Sequence, residues 1–521
     1  MRLLARLVVG IVLFSVPALG QSPTIIGDFD GDGVAGPKDL LQMIQGFGQP
    51  VSAGSGNLLW AKRAYSQKID SANDVALGSD GEVFVTGQWT EGIIFGEGEA
   101  TQTILNSETS NAYVARYNSD GSFVWVRTPS GGSVVSDGIA VRQTDHSVYA
   151  TGRFTSTATF WNTGAPQLMA TSQGSGDTFL LRATADGDLE DLRDAGGGGY
   201  DEASVVDVLP DGTHIQMGLL EDTVVFGEGD STVTLESVMN DRNPFLVKYN
   251  PDGSPAWGRV IQVNLFADLF DAALLPDGRV AVTGVFDDPL TLGSGETNET
   301  VLNPAGGDDA FLALFNSDGT LAWARSDGGM QDDEGLGVTV LPDDGGLVFC
   351  GRFEDVATFG AGTPAERLLT STENTDIFIA KYDLGGNLVW AKRAGGFGSN
   401  RPSRVAATPE GGAVVVGTFQ ETCTFGTGEP NETSLVSEGM NDAFVAKYEA
   451  SGGLLWAKRM GGLENDAAAS VAVHSDGTSV VVGQFRVVAT FGEDEPGETV
   501  LDAEGINNFP NPSIFVAKFG P

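Results

Sequence analysis

The chain has 521 residues, and 70 acidic side chains against 29 basic ones give it a formal net charge of −41 at pH 7. This balance argues against nucleic acid as a partner, because binding to phosphates needs Lys and Arg. It indicates a well-solvated acidic surface, and cationic partners such as Ca²⁺ are the less favoured alternative. With 41% hydrophobic residues and 72 glycines, the composition excludes a disordered acidic chain and indicates a globular protein with many turns.

The first 20 residues have the pattern of a bacterial secretory signal peptide. Arg2 and Arg6 precede an apolar run over residues 7–16, and small residues follow before the polar Gln21. The apolar run is shorter than the roughly 20 residues needed to span a bilayer, and no later stretch is long and apolar enough. We therefore expect residues 1–20 to be removed, no membrane span, and a secreted, extracellular or cell-surface protein.

Residues 21–48 contain the spacing of a calcium-binding loop. Oxygen ligands are expected at loop positions 1, 3, 5, 7, 9 and 12, with a glycine for the sharp turn at position 6. The glycine is Gly33, and the candidate ligands are Asp28, Asp30, Asp32, Val34 through its backbone carbonyl, Gly36 through water, and Asp39. Helical spacing of the apolar residues 40, 41 and 44 predicts a short helix after the loop.

This loop and helix resemble one half of a dockerin repeat of the EF-hand type, with Asp instead of Glu as the last ligand. The resemblance covers residues 27–48 and implies calcium as the cofactor. Dockerins have two such segments and this chain has one, so a cohesin-type partner is the less favoured expectation. The alternative is an Asp-Gly-rich turn that binds no metal. Residues 49–56 form a short linker rich in Pro, Ser and Gly.

A repeat of about 66 residues fills residues 57–521. A tryptophan recurs at near-constant spacing, with Asp191 where one further tryptophan is expected: Trp60, Trp125, Trp257, Trp323, Trp390 and Trp456. Each period contains four short segments rich in Val, Phe and Trp between Gly and Asp, which predicts four β-strands. The second strand is apolar at consecutive positions, as at residues 480–482, so we expect both faces of each sheet to be buried.

The two ends of the repeat region predict how it closes. It begins with a fourth strand, residues 58–63, that follows no third strand, and it ends with a third strand, residues 513–519, without a fourth. Together these segments would complete one sheet, and no capping repeats of an open solenoid are visible. We therefore predict an all-β fold, a seven-bladed β-propeller closed by its N-terminal strand.

The hairpin of residues 442–459, the following Gly-Gly and the segment 470–485 resemble the bacterial β-propeller repeat called SBBP. The resemblance covers roughly residues 57–521 and implies a secreted propeller without an assigned reaction. This chain departs from a typical copy in a long loop between second and third strands, such as residues 90–110, which often contains Phe-Gly-x-Gly-Glu. A weaker similarity connects the hairpin with the propeller repeats of quinoproteins.

Acidic residues recur in the segments before each first strand: Asp70, Asp74, Asp137, Asp201, Asp268, Asp271, Asp332, Asp333 and Asp466, with Asn400 at the matching place in the sixth blade. They either form a ring around a central ligand or cation, or each accepts backbone N–H groups in its own turn. Repetition in every blade favours the structural interpretation, because binding sites usually break symmetry.

Other residues with chemical potential have structural interpretations. The recurrent tryptophans are expected to lie between neighbouring blades. His146, His214 and His474 stand beside turns of three different blades, so we expect exposed side chains that do not converge on a metal. Cys350 and Cys423 occupy non-equivalent positions, which predicts two buried free thiols instead of a disulfide.

No nucleophile elbow, His-Glu-x-x-His pair or cysteine ligand cluster occurs in the sequence. We therefore predict a non-catalytic binding or scaffold module, with an extracellular protein or glycan as its partner. Two alternatives stay open. One is a secreted carbohydrate-active enzyme that uses a pair of its many carboxylates, to which a dockerin-like element would be a natural companion; the other is a quinone-dependent oxidoreductase.

Overall fold

The structure, a computed structural model, describes residues 56–66, 68–106, 111–160, 167–237, 242–261, 267–343, 345–503 and 511–521. The predicted signal peptide and calcium element lie outside these ranges. Every regular element among the described residues is a β-strand, which confirms the predicted all-β class. No helix among them has the length and apolar character needed to cross a membrane.

The strands form units of one construction. Each unit has a core sheet of four antiparallel strands, named here the first to fourth strand, which are hydrogen-bonded in that order. Between the second and third strands, the chain forms a peripheral hairpin outside the core sheet. The described chain begins with β1 (Leu58–Ser66), which belongs to the core sheet of the last unit.

Units 1, 3 and 4 each contain six strands, of which the middle two form the peripheral hairpin. Unit 1 comprises β2 (Ser71–Leu77), β3 (Val83–Trp89), β4 (Ile93–Phe95), β5 (Thr103–Leu105), β6 (Asn111–Tyr117) and β7 (Phe123–Arg127). Unit 2, which has one extra short strand at its start, comprises β8 (Ser130–Gly131), β9 (Val134–Val141), β10 (Val148–Phe154), β11 (Thr157–Phe160), β12 (Leu168–Thr171), β13 (Asp177–Ala183) and β14 (Leu189–Ala195). Unit 3 comprises β15 (Glu202–Val208), β16 (His214–Leu220), β17 (Thr223–Glu228), β18 (Ser231–Glu236), β19 (Asn243–Tyr249) and β20 (Pro255–Val260). Unit 4 comprises β21 (Ala267–Leu274), β22 (Val280–Phe286), β23 (Leu290–Leu292), β24 (Thr300–Leu302), β25 (Asp309–Phe315) and β26 (Leu321–Gly329).

In unit 5 the second and third strands are long enough to form the hairpin by themselves. This unit comprises β27 (Glu334–Val340), β28 (Leu347–Phe359), β29 (Arg367–Tyr382) and β30 (Leu388–Gly396). Unit 6 comprises β31 (Arg401–Ala407), β32 (Ala413–Phe419), β33 (Thr422–Phe425), β34 (Thr433–Val436), β35 (Asp442–Tyr448) and β36 (Leu454–Gly461). Unit 7 comprises β37 (Ala467–Val473), β38 (Ser479–Phe485), β39 (Val488–Phe491), β40 (Thr499–Asp502) and β41 (Ser513–Phe519).

The fourth strand of unit 7 comes from the other end of the described chain. Strand β1 runs antiparallel to β41, with Ala61 opposite Ala517 and Arg63 opposite Phe515. First strands of successive units also lie side by side, from β2 through β9, β15, β21, β27 and β31 to β37, and β37 in turn contacts β2.

The hydrophobic cores lie between adjacent core sheets, because side chains on the second strands alternate between two of them. Val481 belongs to the cluster shared by units 6 and 7, whereas Val480 and Val482 pack against unit 1. All three side chains are buried. The predicted burial of both sheet faces is therefore confirmed.

The segment between second and third strands, predicted to be a long loop, is instead largely the peripheral hairpin. Its first strand pairs with the end of the preceding unit's fourth strand: β4 pairs with β1, β33 with β30, and β39 with β36. Each of these hairpins thereby extends the hydrogen-bonded network from one unit to the next. Its partner strand lies in another repeat, so local sequence patterns did not reveal the pairing.

Candidate functional site

The predicted calcium ligands, Asp28, Asp30, Asp32, Val34, Gly36 and Asp39, lie outside the described residues, so the calcium loop stays a prediction. Within the described residues, the recurrent acidic side chains are the largest set of candidates. The structure places most of them in two groups with different environments, although they form one recurrent set in the sequence.

The first group, the junction aspartates, lies in the connections between one unit's fourth strand and the next unit's first strand: Asp70, Asp201, Asp333 and Asp466. All four are at most 1% exposed. Asp201 accepts hydrogen bonds from the backbone N–H groups of Glu221 (2.9 Å) and Gly197 (2.8 Å). Asp466 does the same with Arg486 and Gly462. The two carboxylates therefore accept backbone N–H groups, as the structural interpretation predicts, but not only in their own turns. Each joins its junction, at Gly197 or Gly462, to the end of the next unit's second strand.

Most junction aspartates face a polar side chain at the start of the preceding unit's third strand. Where the junction residue is Asp466, the facing residue is Asp442, and Arg459 Nη1 lies 2.9 Å from the Asp442 carboxylate. In one connection Asn400 takes the place of the junction aspartate, and its Nδ2 lies 3.3 Å from the carboxylate of Asp376. Arg393 Nε is 2.5 Å from that same carboxylate.

Asp309 and Asp333 form such a pair, and among the described residues no Lys or Arg forms an ion pair with either carboxylate. The position of Arg459 is Ser326 in unit 4, because each stands opposite residue three of its unit's third strand. A Cβ built on Gly328 would lie 1.9 Å from Asp309 Oδ1 and 2.9 Å from Asp333 Oδ2, so the two oxygens share one small space. Burial, above all, raises the pKa of Asp309 to about 6 and that of Asp333 to about 8.

A second group of polar side chains lies on the first strands. Each first strand has a bulge opposite a glycine of the second strand; a Cβ on Gly87 would lie 2.0 Å from the carbonyl oxygen of Ser71. In four units the residue after the bulge is polar, and we name these four side chains the axial cluster: Asp74, Asp271, Arg404 and Ser470.

Side chains of the axial cluster connect units that are not neighbours in sequence. Arg404 of unit 6 reaches past unit 5 to unit 4, where its Nη1 lies 2.6 Å from Asp271 Oδ1 and donates to the carbonyl of Phe270. Ser470 Oγ donates to Asp74 Oδ1 at 2.6 Å. The first strands therefore surround a common space that these side chains share.

The axial carboxylates also bond to the backbone of the next unit. Asp74 Oδ2 accepts from Ile139 N and Asp271 Oδ2 accepts from Val338 N, both at 2.9 Å. Burial raises the pKa of Asp271, and the guanidinium of Arg404 opposes this rise. The axial cluster thus holds the first strands of different units together.

Asp207 lies on the first strand of unit 3, and its carboxylate bonds to the backbone in the same way as those of Asp74 and Asp271. The sequence patterns did not single it out. Its two oxygens accept from Val208 N (2.8 Å) and Leu274 N (2.9 Å), and burial raises its pKa to about 6. Arg404 was missed as well. Asp207 and Arg404 are each a charged residue inside an otherwise apolar first strand. That pattern differs from the acidic loops by which the other candidates were predicted.

The remaining predicted acidic residues have local contacts. Asp137 accepts from Asn73 Nδ2 at 3.0 Å, and burial, above all, raises its pKa to about 6. Asp268 accepts from the backbone of Leu269. Asp332 is exposed. The structure does not bring these three into the axial cluster.

The recurrent tryptophans lie between units, as predicted. Trp390 Nε1 donates to the carbonyl of Ala450 at 3.2 Å, and its ring covers Gly452 in the turn of the next unit. Where Asp191 replaces the tryptophan, Arg193 donates to the carbonyl of Asp252 and covers Gly253. An arginine two residues further on therefore fulfils the role of the missing ring.

The prediction that the three histidines are exposed is wrong. His214 is 3% exposed and stacks on Tyr249 at 4.8 Å, and burial lowers its pKa to about 4. His146 Nδ1 lies 3.0 Å from Glu82 Oε1, and the His146 side chain is 19% exposed. His474 is half-buried. Cys350 and Cys423 are buried free thiols, as predicted.

No protein-family model matches the chain. Among curated proteins, it is 21% identical over 461 residues to an uncharacterized WD repeat-containing protein of Acanthamoeba polyphaga mimivirus, covering 75% of this chain and 33% of that protein. It is 28% identical over 151 residues to the regulatory protein FlaEY of Caulobacter vibrioides, covering 28% and 16% respectively. The chain thus spans a third or less of the length of these relatives.

Similar solved structures are the WD40 β-propeller domain of Doa1 (TM-score 0.40, 11% identity, 89% of this chain and 96% of that chain) and a protein of unknown function from Dyadobacter fermentans (TM-score 0.36, 12% identity, 89% and 98%). A third is Chaetomium thermophilum Sqt1 bound to the N-terminus of ribosomal protein L10 (TM-score 0.33, 12% identity, 86% and 100%). The chain is similar to WD-repeat and β-propeller proteins, and its own strand pairing establishes its all-β repeat fold.

Proposed function

We propose that the protein is a secreted or cell-surface binding or scaffold module without catalytic activity. It is built as a closed seven-bladed propeller and preceded by a calcium-binding element. One observation carries the non-catalytic part: the buried carboxylates of the first strands are bonded to the backbone of neighbouring units. Both oxygens of Asp74, Asp207 and Asp271 have partners, whereas a catalytic acid or base needs an oxygen that faces its substrate.

Strand pairing and packing support the closed ring. Units 1 to 6 each complete a four-stranded core sheet, and unit 7 completes one by pairing β41 with β1. The first strands contact one another in sequence, and the last of them, β37, contacts the first, β2. Packing of unit 7 against unit 1 covers an apolar face of each core sheet, so neither end of the repeat array needs a capping repeat.

The connections between units provide a surface for a partner. Three consecutive connections place an exposed apolar side chain at the same position, three residues before the junction residue: Met330, Phe397 and Leu463. They are 74%, 51% and 76% exposed. Each is a large apolar side chain exposed on an acidic protein, and exposed apolar surface is a feature of sites that bind another protein. This favours an extracellular protein as the partner, with a glycan as the alternative.

Calcium binding is tested by calorimetric titration of Ca²⁺ into mature protein from which metals have been stripped. We expect one site, which is lost in the Asp28→Ala/Asp32→Ala double variant. Sites that survive in the double variant would assign calcium to the acidic residues of the repeat region instead, and no binding at all would remove the calcium element from the proposal.

The rival enzymatic functions are tested by turnover. We expect no release of reducing sugars from a panel of polysaccharides and no quinone absorbance in the purified protein. Turnover that disappears in an Asp74→Asn or Asp271→Asn variant would contradict the non-catalytic proposal and would turn the axial cluster into an active site.

A further inference from the structure

A cluster of possible metal ligands lies where the first turn of unit 1 meets unit 2. Residues 78–82 connect the first and second strands of unit 1, and His146 stands in the corresponding turn of unit 2. One carboxylate oxygen each of Asp80 and Glu82 and one ring nitrogen of His146 lie within 4.8 Å of one another. Among the described residues, this is the one group of three or more His, Cys, Asp or Glu side chains with such proximity.

The turn in unit 1 departs from the pattern of its counterparts. In units 3, 4 and 7 the turn aspartate accepts the backbone N–H two residues later, at 2.8 to 3.1 Å: Asp211 from Thr213, Asp277 from Arg279, and Asp476 from Thr478. Asp80 is the counterpart in unit 1, and within the described chain its exposed carboxylate accepts no hydrogen bond. The residue two positions later is a second acid, Glu82. The turn of unit 1 therefore lacks the aspartate hydrogen bond that the turns of units 3, 4 and 7 share.

Glu82 supplies the observation that points to a ligand. The residue is 9% exposed, and its Oε2 is buried without a hydrogen-bond partner among the described residues. Oε2 lies over Gly78, where a Cβ would stand 2.4 Å away. Its other oxygen faces His146 Nδ1 at 3.0 Å and Arg116 at 3.5 Å. A buried carboxylate oxygen without a donor is costly, and a bound cation would satisfy it.

The surrounding groups are compatible with a cation. Arg116 also forms an ion pair with Asp186 at 3.2 Å, so its charge is shared between two acids. His146 Nε2 is 2.6 Å from Ser79 Oγ, which holds the imidazole against the turn. On the other side of the turn, the buried Nε2 of His474 lies 3.7 Å from the Cβ position of Gly81 and also has no partner within the described part of the chain.

We propose that Asp80, Glu82 and His146 bind a divalent transition-metal ion of the Zn²⁺ type. One imidazole and two carboxylates are ligands that Zn²⁺ accepts, whereas Ca²⁺ and Mg²⁺ take oxygen ligands only. Zn²⁺ binds its ligands at about 2.0–2.2 Å, so the exposed Asp80 side chain closes onto the ion. Three protein ligands leave the fourth position to water or to a group of a partner. The ion ties unit 1 to unit 2 on the turn side of the repeats.

The test uses the mature chain, with metals stripped and excess Ca²⁺ present so that the N-terminal loop is saturated. Titration with Zn²⁺ is followed by calorimetry, and titration with Co²⁺ by visible absorbance. We expect one site per chain and a Co²⁺ spectrum typical of nitrogen and oxygen ligands. The Asp80→Asn variant changes an exposed side chain and should fold normally; its Zn²⁺ affinity should fall at least about tenfold.

The Asp277→Asn variant is the matched control, because it removes the counterpart aspartate in unit 4, and it should bind like the parent. A second variant, His146→Gln, should abolish the nitrogen contribution to the Co²⁺ spectrum. The proposal is overturned if the parent binds no Zn²⁺ at 100 μM, or if Asp80→Asn and His146→Gln both bind with unchanged affinity. These outcomes do not depend on the calcium titration or on the search for a partner.

Discussion

Buried acidic pairs at the junctions differ in the groups that compensate their charge. Asp442 lies beside Arg459 at 2.9 Å, whereas Asp309 and Asp333 have Ser326 at the position of that arginine. Folding buries Asp333 to 1% exposure, and its pKa rises from 3.8 to about 8. At neutral pH the fold therefore keeps a proton that the unfolded chain releases.

The stability of the protein should fall as the pH rises through the folded pKa of Asp333. Because this pKa is raised above the unfolded value, the contribution of protonated Asp333 to the free energy of unfolding is fully present below about pH 4. It is lost progressively up to about pH 8. Asn at position 333 cannot ionise, and Asn400 already occupies the equivalent place in unit 6. We therefore compare the difference in the free energy of unfolding, Asp333→Asn minus parent, at two pH values. This difference should be larger at pH 8 than at pH 5 by at least about 1 kcal/mol.

Urea unfolding at the two pH values measures this difference. Asp230→Asn, which alters an exposed aspartate in the peripheral hairpin of unit 3, is the control and should follow the parent. If the curves of Asp333→Asn and the parent run parallel between pH 5 and 8, the pair does not hold a proton.

At the scale of single residues, the sequence predicted that recurrent aspartates accept backbone N–H groups in turns. It did not separate Asp70 from Asp74, because the difference depends on a bulge that forms only when a second strand supplies Gly87 opposite. It did not predict the contact of Arg404 with Asp271, since the two residues are far apart in the chain and meet only when first strands of non-adjacent units share one space.

The peripheral hairpins connect the units through a recurrent glutamate. Glu429, in the Phe-Gly-x-Gly-Glu segment of unit 6, accepts from Leu454 N of its own unit's fourth strand at 2.6 Å. Its other oxygen lies 2.7 Å from Lys392 Nζ on the preceding unit's fourth strand. Glutamates at the equivalent position bond to the start of the fourth strand in three other units: Glu99, Glu296 and Glu495.

Removing this glutamate should loosen two neighbouring units at once. We expect Glu429→Ala to lower the free energy of unfolding by about 1.5–3 kcal/mol, because a charge-assisted hydrogen bond is lost and a partly buried N–H is left without its acceptor. Glu429→Gln keeps an acceptor and should cost about half as much.

The control is Glu373→Ala, an exposed glutamate on β29, which should stay within about 0.5 kcal/mol of the parent. Equal effects of Glu429→Ala and Glu373→Ala in urea unfolding would mean that the recurrent glutamate does not hold the units together.

At the scale of elements, the four core strands were predictable because consecutive apolar residues and Asp-Gly turns mark them locally. The peripheral hairpins were not. Their strands are three or four residues long in units 1, 4, 6 and 7, and in units 1, 6 and 7 they are held by pairing with a strand of the preceding unit. A motif such as Phe-Gly-x-Gly-Glu recurs visibly in the sequence, while one partner of its glutamate lies in another repeat, as Lys392 does for Glu429.

For the whole molecule, the proposed scaffold function rests on a ring that the first and last described strands complete together. Strand β1 gives unit 7 its fourth strand, and its Leu58 N–H donates to Glu495 of that unit's hairpin at 2.6 Å. In the ring that we propose, closure would make the units mutually dependent and would hold the connections and turns at fixed positions. The composition of the chain predicted globularity, and the offset of the two terminal strands predicted their pairing.

The most direct test of this account is a cross-link between the two ends. Ala61 and Ala517 are directly opposite on β1 and β41, and both are buried. Cβ atoms of opposite residues in an antiparallel pair lie within a distance that a disulfide can bridge with small adjustments. The variant Ala61→Cys/Ala517→Cys, oxidised in the folded state and digested for mass spectrometry, should yield one peptide in which the two cysteines are linked.

The control, Ala61→Cys/Lys518→Cys, shifts one cysteine by a single residue to the other face of its strand and should stay reduced. Formation of the first disulfide without the second establishes that the N-terminal strand closes the ring in the observed register. Two free thiols in the folded Ala61→Cys/Ala517→Cys protein would contradict closure and, with it, the proposal of a rigid closed scaffold.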